Sequence, residues 1–82
     1  MFATRNFRTN LRYLLEERGI SQREVATRAE VSYPYVNRIL QGKVTPAIDI
    51  CDSLADAVGM ELPQMLLHPR VFARNSRLTP AG

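Results

Sequence analysis

The stretch Ser21–Gly42, SQREVATRAEVSYPYVNRILQG, decides how this chain folds. Ser21 has the chemistry of a helix cap, and Glu24 stands three residues on, the spacing at which it reaches back in a capping box. Val25, Ala26 and Ala29 then recur at helical spacing. Val31 and Ser32 break that pattern. Ser32 caps a second short helix with Pro34 in its first turn, where a missing N–H costs little. Val36 and Ile39 are its inward residues, and Gly42 supplies a left-handed stop. Two short helices joined by a tight turn, the second with exposed Tyr, Asn and Arg, suit the placing of side chains in a major groove.

On the N-terminal side, Phe7, Leu11, Leu14 and Leu15 fall on one helical face, predicting a helix from about Asn6 that ends at Gly19. Residues 1–5 read as a short flexible arm, and Ile20 as a staple into the core. On the C-terminal side, Thr45-Pro46 is a cap followed by proline at the first helical position. The fourth helix buries Ile50, Cys51, Leu54 and Val58, exposes Asp49, Asp52 and Asp56, and closes at Gly59. Met60 to Leu67 gives a fifth, short helix with Leu62, Leu66 and Met65 inward, stopped by His68-Pro69. The expectation is an all-α domain of five helices over residues 1–68, followed by a basic, partly flexible tail at 69–82 that is available to a dimer or partner contact.

Eighty-two residues suffice for one modest core, and an apolar fraction of 45% fits a folded chain. No apolar run is long enough to span a bilayer, and the N-terminus is polar with no secretory apolar region. The lone Cys51 cannot form an internal disulfide, which fits a reducing cytoplasm. Charge is unevenly spread. Residues 1–45 hold eight basic and four acidic residues, residues 46–68 hold four acids and no base, and Arg70, Arg74 and Arg77 follow. A basic front, acidic middle and basic tail would orient the molecule on a polyanion.

From Phe7 to Leu67 the chain resembles the phage lambda repressor/Cro type of helix-turn-helix regulator, also called the xenobiotic-response-element family. The resemblance is carried by LRYLLEERGISQREVA, by VSYPYVNRILQGK and by TPAIDICDSLADAVGM. Gln22, Ala26, Val31, Val36 and Ile39 stand where the family places them. Two departures matter. Glu30 occupies the inter-helix turn where the family favours glycine, a strain on the order of 1 kcal/mol if its φ is positive. Leu15 and Leu40 replace an arginine and a glutamate that form a buried ion pair in many members. Both are apolar together, so neither charge is stranded, and a packed pair is expected.

The resemblance implies a sequence-specific, double-stranded DNA-binding transcriptional regulator, a repressor rather than an activator, working as a homodimer in a bacterial or phage-infected cytoplasm. It makes Gln22 a phosphate contact, aided by the free N–H groups of its helix end. Ser32 is a cap with a secondary backbone role, and Arg23 and Lys43 are further backbone contacts. Tyr33, Pro34, Tyr35, Asn37 and Arg38 are the base-reading candidates. Arg38 suits a guanine edge or a phosphate, and Asn37 an adenine, although Asn37 lies further along the helix and has a backbone contact as its alternative. One tyrosine ring, Tyr35 above all, has the alternative of packing back on the preceding helix. Arg28 has a solvated role as its alternative. Arg5 and Arg8 suit an arm entering a groove, or a mobile terminus.

Enzymatic chemistry finds little support: His68 stands away from any carboxylate cluster, Cys51 lies on an apolar stripe, Asp49, Asp52 and Asp56 would need ligands from another element to hold a metal, and neither a phosphate loop nor Cys/His metal spacing occurs. No metal or cofactor is expected. The dimer surface falls on helices four and five by resemblance, with Val71, Phe72 and Leu78 as a second apolar candidate. Two other readings differ in partner: an antitoxin that binds both its operator and a toxin, and a protein-binding adaptor that kept the fold.

Overall fold

A computed structural model describes residues 2–78, which form helices and no strand: α1 Phe2–Arg18, α2 Gln22–Ala29, α3 Tyr33–Leu40, α4 Ile48–Ala57, α5 Leu62–Met65 and α6 Pro69–Leu78. Among the described residues the all-α expectation holds, with six helices in place of five.

The α1 stripe is the spine. Phe7, Leu11 and Leu14 are fully buried and Leu15 nearly so. Val25 and Ala26 of α2, Val36, Ile39 and Leu40 of α3, and Cys51, Leu54 and Ala55 of α4 join them in one core, with Val58, Met65 of α5 and Phe72 of α6. Ile20 packs at the margin, and its N–H bonds Leu15 O at 2.9 Å to finish α1.

Several boundaries differ from expectation. α1 begins at Phe2, so the anticipated arm is mostly helix; Met1 lies outside the described residues. α4 begins two residues later than Thr45-Pro46 predicts, with Ala47 at the cap position and no side-chain cap. Pro46 is buried instead, and its carbonyl faces the Cys51 thiol, so the proline anchors the loop to the core. Ile50 is only half-buried, and Ala55 takes the inward place. α5 is a single turn in which Met65 is the buried residue, while Leu62 and Leu66 are half-buried. Its start is held by Gln64, whose Oε1 accepts from the Glu61 N–H at 3.1 Å.

The largest difference is α6, where a tail was expected. Phe72 is 1% exposed and meets the Tyr13 ring edge-on at 6.1 Å, so it belongs to the core and is not free for a partner. Val71 is half-buried; the Leu78 side chain and residues 79–82 lie outside the described residues. Two asparagines of α1 fix the approach to α6. Asn10, 1% exposed, donates to Met65 O at 3.0 Å and Leu67 O at 2.8 Å, and Asn6 donates to Leu66 O at 3.2 Å. A turn buried beside a helix must have its carbonyls satisfied, and these amides do it.

Three arginines of the basic front are spent on helix ends. Arg12 bonds Leu40 O at the C-terminus of α3. Arg18 donates to Val58 O at 2.6 Å, and Arg28 reaches Ala57 O at 3.4 Å, both at the C-terminus of α4. Unsatisfied carbonyls and the negative end of the helix dipole favour cations there. Of the eight basic residues before Pro46, then, these three hold the scaffold together.

Candidate nucleic-acid interface

The site is the angle between α2 and α3. Ser21 has extended backbone and its Oγ accepts from Glu24 N at 3.0 Å; Ser32 does the same for Tyr35 N at 3.2 Å. The reciprocal half of the expected capping box is replaced, because the Glu24 carboxylate pairs with Arg28 one turn on. Arg28 is therefore doubly engaged, on Glu24 and on α4, and is not merely solvated.

Between the helices Glu30 adopts φ 59 and ψ 39, the left-handed region. Its N–H bonds Thr27 O at 3.2 Å and the next N–H, Val31, bonds Ala26 O at 3.0 Å, so two of the last four carbonyls of α2 are satisfied at the expense of strain at a non-glycine residue. The chain then enters α3, whose Val36, Ile39 and Leu40 seat it on the core. Leu15 and Leu40, 6% and 3% exposed, share that core and line one open cleft of about 410 Å³ with Arg12, Glu16 and Gln22.

On the outer side of α3, Tyr33, Pro34 and Arg38 are exposed. Tyr35 is half-buried and packs against the core. Tyr33 carries the Arg23 guanidinium over its ring, 4.5 Å from the centroid, which ties the first turn of α3 to that of α2. Asn37 is half-buried with its amide committed: Nδ2 donates to Gln22 Oε1 at 3.0 Å, and Oδ1 accepts from Gln41 Nε2 at 2.9 Å. Gln41 is absent from the residues that sequence reasoning singles out. Its position four residues after Asn37 on the same helix is the signal that could have found it.

The loop after α3 turns at Gly42, φ +76. A Cβ there would meet the Arg8 guanidinium, the movable end of a flexible side chain, so it is the positive φ that favours glycine. Arg8 is thus placed beside the exposed Lys43 and not on an arm, and Arg5 is exposed on the first turns of α1. Burial pushes the Cys51 thiol up from its ordinary value, as expected of a small core residue. Among the described residues, no three potential ligand side chains gather where they could hold a metal ion, and no helix is long and apolar enough to cross a membrane.

Two capped helices at this angle, with a left-handed turn between them and polar side chains outward, define a helix-turn-helix protein. Residues 11–64 match the helix-turn-helix family model, and the chain belongs to that family, in its lambda-repressor-like branch. It is similar to the HTH-type transcriptional regulator DdrOP3 of Deinococcus deserti, with 32% identity over 56 residues, 68% of this chain and 43% of that protein. The chain thus spans less than half the length of this relative. No solved structure matches it.

Proposed function

We propose that the chain binds double-stranded DNA in a sequence-specific manner and regulates transcription as a repressor, laying α3 in the major groove. The observation that carries this reading is the double tie between the first turn of α2 and the outer side of α3. Gln22 is bonded to Asn37 and Arg23 is stacked on Tyr33, so backbone-holding and base-facing residues keep one fixed spacing. Arg38 is the base reader with the strongest chemistry, a fork of donors for a guanine edge. Tyr33 and Pro34 line the groove beside it, and Tyr35 seats the helix. Gln22, Arg23, Ser32 and Lys43 hold phosphates, with Arg8 adding charge beside Lys43.

A second copy of the chain completes the reading, with two recognition helices about 34 Å apart on paired half-sites. The α4–α5 region is the proposed contact, and Ile48 at the start of α4 is 65% exposed there. Selection from a random DNA pool, with mass measured in solution, tests both parts. A paired, inverted sequence bound by a dimer, with affinity falling steeply as salt rises, is the expected result. No enrichment at low salt rejects DNA binding, and a small protein that co-purifies in equal amount points to an antitoxin.

A further inference from the structure

We propose that Asn37 is a positioning residue, the middle of a three-amide chain that turns the NH2 of Gln22 outward as a phosphate donor, and not a reader of bases. The inference rests on the DNA-binding reading above and deepens it.

The sense of the chain follows from its hydrogen bonds. Gln41 Nε2 donates to Asn37 Oδ1 at 2.9 Å, and Asn37 Nδ2 donates to Gln22 Oε1 at 3.0 Å. Each carboxamide accepts at oxygen and donates at nitrogen, so every link points the same way, from the end of α3 to the start of α2. With the Gln22 carbonyl occupied, its NH2 is the terminus. Gln22 is also the first residue of α2, where the backbone N–H groups have no helical acceptor. The side-chain donors and the helix end therefore present one kind of group, N–H, and phosphate oxygens are pure acceptors.

Reversing all three amides would keep both internal hydrogen bonds but turn the Gln22 oxygen outward, towards an anion that it repels. Phosphate thus selects one sense of the chain, and each link polarises the next in the direction that strengthens the terminal donor. The same bonds withdraw Asn37 from the groove. A bidentate adenine contact needs its carbonyl and its NH2 together, and each has one of its two hydrogen-bonding positions taken, by Gln41 and by Gln22, which fixes the half-buried amide in that orientation.

The test is a double-mutant cycle on DNA selected by the wild-type chain, with unrelated DNA alongside. Gln22→Ala and Asn37→Ala each weaken binding about tenfold, the scale of one hydrogen bond to a charged group, and the double variant is no weaker than either. The loss is equal on both DNAs and leaves the salt slope unchanged, because the lost contact is uncharged. Gln22→Glu, well tolerated in a first helical turn, still accepts from Asn37 but cannot donate; it loses at least as much, and Asn37→Ala adds nothing to it. If Asn37→Ala fails to melt cooperatively, Asn37→Ser takes its place in the same cycle. Additive losses, or a changed base preference at one position on removing the Asn37 amide, overturn the inference while leaving DNA binding intact. A wild-type chain that binds no DNA overturns the functional reading itself.

Discussion

The Arg23 guanidinium lies 4.5 Å from the centre of the Tyr33 ring, so the first turns of α2 and α3 are clasped by a cation–π contact at the surface. The ring is 36% exposed, which leaves the pair solvated and its strength modest. A cycle of Arg23→Ala and Tyr33→Leu, followed by urea unfolding, is expected to give a coupling of about 0.5–1 kcal/mol. Arg23→Lys should retain only part of it, since an ammonium lacks the flat guanidinium face. Zero coupling would show that the stack adds nothing in solution.

Arg38 and Lys43 are both exposed and cationic but are assigned different work. Arg38→Ala should relax sequence preference at a single base position at a cost of about 1–3 kcal/mol. Lys43→Ala should weaken all sequences alike and lower the salt slope by about one. Competition binding against singly substituted sites at two salt concentrations separates the effects, and identical profiles would refute the division.

Glu30 holds φ 59 with no side-chain hydrogen bond or ion pair among the described residues. Glu30→Gly removes the left-handed penalty and adds backbone entropy to the unfolded chain, so a net gain of up to about 1 kcal/mol is expected. In a domain of this size that is a rise of roughly 4–8 °C in Tm. Glu30→Val should shift it the other way.

Leu15 and Leu40 are buried together. Alanine at either site should cost about 2–5 kcal/mol in chemical denaturation, and Leu40→Glu alone about as much by stranding a charge. Adding Leu15→Arg to Leu40→Glu should recover much of that loss. Failure to recover would mean that the surrounding packing no longer admits an ion pair.

The Cys51 thiol is raised above its ordinary pKa by burial. The folded state therefore keeps its proton where the unfolded chain has lost it, so this group's contribution is full below the unfolded thiol pKa and declines as pH rises through the folded one. Thiol-reactive dye should label Cys51 at neutral pH only at the rate of global opening, and Cys51→Ser should be destabilising. Fast labelling of the native chain would contradict the burial.

What the sequence disclosed followed the range of the interactions. Ser21, Ser32 and Gly42 act on backbone within a turn or two of themselves, so α2, α3 and their junction were readable, as was the left-handed risk at Glu30. The α1 stripe was readable too, but Asn10, which lies on it, is polar and finds its carbonyl partners 55 and 57 residues away. The helix-capping arginines escaped notice for the same reason. Among the described side chains of α6, Phe72 alone is fully buried and carries the docking, too sparse a stripe to give a periodic signal. At the site, exposure of Arg38 followed from spacing, whereas the inward turn of Tyr35 and the commitment of Asn37 to Gln22 depend on an inter-helix angle that spacing alone does not set.

The burial of Phe72 separates what is recognisable from what is transferable. The family match stops at residue 64, before both Met65 and Phe72. A chimera that grafts only the matched segment onto another protein would inherit a reading surface with an unplugged interior, its Tyr13 ring left without its edge-on aromatic partner. The smallest exchangeable cassette extends through α6, and recombination that respects only the visible motif would deliver a protein prone to aggregate.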